Sequence, residues 1–471
     1  MAERTEGGNA TPAMLAPRDI ATWPAFCGAV GETPLQRARR LMSELGLWSP
    51  AQAYGRRWSV GCVAIEITQR CNLDCGLCYL SESSEAIKDL PLPEVLRRLD
   101  EVRRIYGEGT DVQITGGDPT VRDHGELVVI VRHATAIGLR PALFTNGIRA
   151  TRALLTQLAG AGLVDVAFHV DTTQNRKGYP SEAALNALRD TYVERARDLG
   201  LNVIFNTTLH AGNIAELPGL VRYFVERSAK ISFASFQLQA DTGRGVLGRR
   251  PLTLTPEAIC GAIDAELGTR LSWDFPVGGH PACNRYACVL TAGRRAFDVY
   301  QDRPFMERML EETVDLRLDR RHRLRSVAAL LRFWLRRPAL WADGLLWAAR
   351  LAWRMRWEIW HGRGRIGKIS FFVHNFMDAG ALEHARIKAC TFMVATAQGM
   401  QPMCLVNAQR DRFILPPIAI ERSGQRLLWN PLTGMASANA AGPTTARLSR
   451  KTAKGRARAR LSSTDNARPG T

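Results

Sequence analysis

The chain has 471 residues, 46% of them hydrophobic and 23% charged, which is enough for a sizeable core with one or two appendages and excludes a disordered or fibrous protein. Its ten cysteines are scattered, and Met1 to Ala13 lack a basic head and an apolar stretch, so thiols serving as metal ligands in a reducing cytoplasm are expected rather than disulfides. The net charge of +18 sits almost wholly in two segments: residues 315–368 hold fourteen Lys/Arg against four Asp/Glu, and residues 436–471 hold eight against one.

Residues 1–35 show no sustained periodicity and are expected to be a flexible or loosely docked lead-in. Leu35, Ala38, Leu41, Met42 and Leu45 then mark an amphipathic helix from Pro34 to Leu47, which closes an N-terminal segment at 1–54. The apolar run Cys62–Thr68 predicts a buried strand, and directly after it comes Cys71-Asn-Leu-Asp-Cys75-Gly-Leu-Cys78-Tyr79. Three thiolates cannot complete a four-cysteine zinc site, but they suit a 4Fe–4S cluster whose fourth iron is left open.

A regular alternation follows. Helical patterns at 92–106, 127–137, 152–161, 181–199 and 217–227 separate apolar runs at 111–115, 140–145, 164–170, 202–209 and 231–238. With Cys62–Thr68 these make six strand–helix units, which argue for an α/β barrel or a segment of one at 55–245, with its site at the C-terminal strand ends. Those ends carry Gly116-Gly117-Asp118-Pro119, Thr145-Asn146-Gly147, His169 and Asp171, Asn206-Thr207-Thr208, and Gln237, Gln239 and Asp241. A lone His169 in an apolar strand also reads as an ordinary core histidine.

The cysteine loop, followed about forty residues later by a Gly-Gly-Asp-Pro turn, resembles the radical S-adenosylmethionine (SAM) superfamily. The resemblance implies an α/β fold built on a partial (β/α)6 barrel, with Cys71, Cys75 and Cys78 holding a 4Fe–4S cluster whose open iron binds SAM. It further implies reductive cleavage of SAM to a 5′-deoxyadenosyl radical that abstracts hydrogen, with Tyr79, Gly116, Gly117, Asp118, Pro119, Asp171 and Asn206 around the cofactor. No residue is singled out as catalytic. A reductant such as flavodoxin or ferredoxin is implied as well.

Beyond residue 245 the alternation stops, and the segment 246–430 holds a second set of cysteines: Cys283 in His280-Pro-Ala-Cys283-Asn284, then Cys288, Cys390 and Cys404. Four thiols would close an auxiliary 4Fe–4S cluster; free cysteines are also common as small buried hydrophobes. Cys260 lies in a helical pattern and is left aside. Phe376-Met-Asp-Ala, Cys390, Gly399, Pro402-Met-Cys404 and Asn407 are similar to the branch containing archaeal dihydropterin methylases and tetraether lipid synthases. The tandem cysteine of that branch is Ala389-Cys390 here.

Within this segment an insertion at 315–365 carries six of the chain's eleven tryptophans, interleaved with arginine. It predicts two amphipathic helices broken at Pro338. A spanning helix is excluded because each central charge costs about 2.5–3.5 kcal/mol on insertion scales. The pattern fits an interfacial membrane association, or a helical hairpin packed over the barrel; nucleic acid is disfavoured, since no recognised module accompanies the basic residues. Residues 431–471 are expected to form a disordered basic tail.

The function expected from these readings is a radical SAM enzyme forming C–C bonds or methylating an unactivated carbon of a lipid-like substrate, in the cytoplasm or on the inner membrane face. The alternatives are methylation of a pterin or another soluble heterocycle, and a non-catalytic iron–sulfur protein.

Overall fold

A computed structural model describes residues 12–28, 31–244, 250–316, 318, 323–422 and 424–438. Six parallel strands follow one another in the sheet: β1 (Cys62–Thr68), β2 (Asp111–Gly116), β3 (Arg140–Thr145), β4 (Asp165–His169), β5 (Asn202–Leu209) and β6 (Phe233–Leu238). Helices Leu92–Tyr106, His124–Ala136, Arg152–Ala161, Glu182–Ala196 and Leu217–Glu226 connect them. The strands obey a period of two. Val63, Ile65 and Ile67 of β1, like Val112 and Ile114 of β2, enter the main core, which the connecting helices share. The opposite face of each strand looks into the barrel.

The sheet does not stop at six. After the hairpin β7 (Asn284–Ala292) and β8 (Arg295–Asp298), strand β9 (Ile366–His374) pairs parallel with β6. Strand β10 (Phe392–Thr396) pairs parallel with the free side of β1, and β11 (Gly399–Pro402) returns antiparallel on β10. The parallel run is therefore eight strands within an eleven-stranded open sheet, ordered β11-β10-β1-β2-β3-β4-β5-β6-β9-β7-β8. Its two sides meet through rings rather than ladder hydrogen bonds: Phe392 of β10 lies 6.0 Å from Phe372 and 4.6 Å from His374 of β9, and His374 stacks on Phe376 at 4.0 Å. Burial depresses the pKa of His374 to about 3, so the seam is made of neutral rings.

The described part of the lead-in, residues 12–28, is docked. Leu15 donates to Leu382 O at 2.8 Å, Met14 bridges Glu383 and Phe26 bridges Met400, while Ile20 joins Ile387, Val394 and Leu405 in a second core. Residues 14–26 are thus held by the C-terminal third.

The insertion forms helices Arg323–Leu335 and Trp341–His361, separated by the turn Pro338–Leu340. Leu351 and Met355 pack on Ala292 and Phe297 of the β7–β8 hairpin. Gly344 admits the Trp334 ring so closely that a Cβ would stand 2.5 Å from it. A small sheet of β12 (Ile418–Arg422), β13 (Gln425–Trp429) and β14 (Ala436–Ser437) follows. Order therefore continues past the expected boundary at 431; the rest of the tail, 439–471, lies outside the described residues.

Candidate active site

The triad loop leaves β1 at the C-terminal end of the barrel and is pinned there by backbone. Gly117 N donates to Thr68 O and Asp118 N to Arg70 O, both at 2.9 Å. A Cβ on Gly117 would stand 2.1 Å from Arg70 O, and one on Gly116, whose φ is +134°, would stand 1.9 Å from Thr68 O. Only glycine permits this contact, so the turn after β2 fixes where the cysteine loop begins.

Cys71, Cys75 and Cys78 are free thiols lining one cavity of about 1270 Å³. Burial pushes the Cys75 thiol well up, and the nearby Cys78, Asp171 and Cys71 push it further. Arg244 supplies the opposite charge: its Nη2 donates to Cys78 Sγ at 3.5 Å and its Nη1 stands 3.5 Å from Asp74. Asn146 Nδ2 reaches Asn72 Oδ1 at 2.6 Å and Cys71 Sγ at 3.8 Å. Among the described residues no three His, Cys, Asp or Glu side chains are drawn together tightly enough for a single ion. Thiolates around a four-iron cubane stand further apart than those around one ion, so three soft donors on one loop with a charge-offsetting arginine fit an iron–sulfur cluster.

Tyr79 is fixed on both sides. Its hydroxyl donates to Gly116 O at 2.6 Å, and Arg410 lies 4.6 Å from its ring while Arg410 Nε donates to Tyr79 O at 3.2 Å. Arg410 Nη1 meets both Glu66 oxygens at 2.8 Å, and Gln69 and Asn407 complete the network. Tyr79, Gly116, Gly117 and Asn206 all line the cavity.

Three residues expected beside the cofactor are not part of the cavity lining. Asp118 is fully buried, and its oxygens accept from Thr120 N, both Thr hydroxyls (Thr120 and Thr145) and Asn146 N, which ties the turn after β2 to the end of β3. Pro119 is buried and opens a short helical turn. Asp171, also fully buried, accepts from Thr173 N, Thr208 N and His169 Nε2, the last at 2.6 Å. Burial would lower the pKa of His169, but Asp171 outweighs it and raises the value; His169 faces the cavity in a setting that favours its protonated form.

The auxiliary cysteines divide. Burial raises the thiols of Cys390 and Cys404, Cys404 to about 12; Cys404 and Cys283 raise Cys390 further, and Cys283 raises Cys404. Arg386 Nε donates to Cys283 Sγ at 3.3 Å. Cys288 sits apart in β7, opposite Ser370, with Tyr286 and Tyr300 as its neighbours, because its place in the ladder aims it away from the trio. The trio lies outside the cavity lining, to which the rings of Phe392, His374 and Phe376 belong. Arg244, Glu66 and Arg410 were not found by sequence reasoning, whereas Asn146 was marked there by its position at a strand end.

Three free cysteines on the loop after the first strand of a parallel α/β barrel are placed to hold an iron–sulfur cluster. Residues 65–223 match the Radical SAM superfamily, whose members use a 4Fe–4S cluster and SAM. The chain is 29% identical over 247 residues to a PqqA peptide cyclase of Bradyrhizobium diazoefficiens, covering 50% of this chain and 63% of that protein. It is 28% identical over 187 residues to the 7,8-dihydro-6-hydroxymethylpterin dimethyltransferase of Methanocaldococcus jannaschii, covering 38% and 36% of the two chains. Among solved structures, Streptococcus suis SuiB bound to its precursor peptide SuiA aligns with a TM-score of 0.35 at 14% identity, over 50% of this chain and 49% of that one.

Proposed function

We propose that this enzyme acts on an unactivated carbon of a lipid-like substrate, ending in C–C bond formation or methylation. The observation that carries the reading is the outer face of the insertion. On the helix Trp341–His361, Trp353, Trp357 and Trp360 are 68%, 59% and 79% exposed, and Arg356 lies 4.0 Å over the Trp353 ring. Large exposed apolar side chains among arginines suit the boundary between headgroups and acyl chains. No helix among the described residues is long and apolar enough to cross a membrane, so the contact would be peripheral, on the inner face.

When bound, the cluster and SAM supply one-electron chemistry that ends in removal of a hydrogen atom from the substrate. The chain's own part is to hold and orient. Cys71, Cys75 and Cys78 would ligate the cluster, and Arg244 would offset their charge. The backbone at Gly116 and Gly117, the Tyr79 ring and the Asn206 amide would bound the SAM site, while the buried Asp118 and Asp171 set the loops around it. Cys283, Cys390 and Cys404 would hold an auxiliary cluster behind the aromatic seam, with a fourth ligand other than Cys288. An external reductant of the flavodoxin or ferredoxin kind would supply electrons.

A soluble substrate is the second reading, favoured by relatives named for a peptide and a pterin. Vesicle co-sedimentation separates the two. On the lipid reading the protein binds anionic vesicles, loses binding as salt rises, and loses it when Trp353, Trp357 and Trp360 are changed to Ala together. Failure of the unaltered, cluster-loaded protein to bind such vesicles moves the assignment to the soluble class.

A further inference from the structure

The cavity that holds the triad runs the length of the barrel. Its lining includes Asn206 and Gln237 at the C-terminal strand ends, and also Asp111, Arg140, Asp165 and Asn202, which begin β2, β3, β4 and β5. Five to eight residues per strand make such a lumen on the order of 17–20 Å long. Eight-stranded parallel barrels are ordinarily filled by layers of bulky branched side chains. Here small residues open part of the inward face: Ala64, Ala142, Ala167, Ser235 and Ser370 face the cavity beside the larger Phe144, Ile204, Phe233 and Phe372, while Val63, Ile65, Leu143 and Val166 lie under the helices. The hollow is written into the strand alternation.

The far end of this lumen is apolar on one side. Trp58, Phe275, Met306, Met309 and Leu310 line it there, and Trp58 is 40% exposed. Polar groups at that end pair across the strands, Arg140 Nη2 donating to Asp111 Oδ2 at 2.7 Å and Asn202 Nδ2 to Asp165 Oδ1 at 2.8 Å. Three of the apolar residues belong to the helix Arg303–Glu312. That helix is clamped to the Trp/Arg insertion by Phe305 against Trp347, 5.8 Å between rings, and by Glu312 to Arg337 at 2.8 Å.

We propose that the barrel is a passage with two mouths. A long hydrocarbon chain enters at the N-terminal strand ends, beside the insertion, methyl end first, and its leading carbons reach the triad at the other end, while its polar head stays at the rim because desolvating it inside the lumen is costly. This rests on the lipid reading above and adds an entry route to it.

The test uses the anaerobically reconstituted, full-length enzyme and long-chain fatty acids carrying a photoreactive diazirine at either the methyl end or the carboxyl end. The methyl-end probe should label Asn202–Leu209 and Phe233–Leu238, and the carboxyl-end probe should label Arg303–Glu312. Ala142→Trp, which blocks the lumen, and Met309→Arg, which charges the rim, should each weaken probe binding about tenfold or more. Labelling with the opposite polarity overturns the passage, even if lipid extracts are converted to product and the lipid reading stands. Labelling confined to Trp341–His361, outside the barrel, likewise overturns it. Absence of all labelling in an enzyme that consumes only a soluble substrate removes the lipid reading and the passage together.

Discussion

Arg410 and Glu66 are 344 residues apart in sequence and form a buried, two-pronged ion pair beside the triad. Removing one member leaves an uncompensated charge, which costs about 3–5 kcal/mol in buried pairs. Arg410→Met should therefore lower the unfolding midpoint strongly, and because the same guanidinium holds Tyr79 O, it should also reduce 5′-deoxyadenosine formation. Adding Glu66→Gln to Arg410→Met should recover much of the stability but not the positioning of Tyr79; denaturant titration with product analysis separates the two effects. His374 makes a pH prediction at the same scale. Its folded pKa of about 3 lies below the unfolded value of about 6.5, so the unfolded chain binds the extra proton first. Between these values stability falls as pH falls, by about 1.4 kcal/mol per unit at full slope from this group. His374→Phe keeps a ring in the seam and should flatten that part of the stability–pH curve.

At the scale of elements, the turn after β2 is a spacer for the triad loop rather than a set of side-chain contacts. Gly117→Ala forces a Cβ against Arg70 O, so the loop must shift. Iron bound by the triad should drop severely after anaerobic reconstitution, while any iron held by Cys283, Cys390 and Cys404 stays; iron analysis of this variant beside the Cys71/Cys75/Cys78 triple alanine variant checks it. The turn was legible as Gly-Gly-Asp-Pro at a strand end, but the inward aim of Asp118 was not, because its partners Thr145 and Asn146 come from a different strand end. Strands β1, β3 and β5 match their expected limits residue for residue, since each is an apolar run that stops at a polar or glycine-containing turn. Strands β9 and β10 escaped notice for the opposite reason. They follow the insertion and the Cys283 loop, where no helix–strand rhythm marks them, and their parallel partners β6 and β1 lie more than a hundred residues earlier. The insertion's two helices and their break at Pro338 were legible from periodicity and proline alone, whereas the docking of Leu351 and Met355 on the β7–β8 hairpin needed the fold.

The segments expected as a barrel at 55–245 and a cluster region at 246–430 share one sheet in the whole molecule. β9 and β10 cover the two sides of β1–β6 that a six-stranded barrel would leave open, and residues 14–26 reach across to 382–400. A chain ending at residue 245 would lose both flanking strands and expose unpaired backbone along β1 and β6, edges prone to pairing with other copies. It would also lose Arg410 and leave Glu66 buried without its partner. That shortened chain should aggregate rather than fold as a monomer, whereas a chain ending at residue 438, which keeps the fourteen strands of the described residues, should behave like the full protein. Analytical ultracentrifugation of the two shortened chains checks this, and a well-folded monomer from the first would show that β1–β6 stand without β9 and β10.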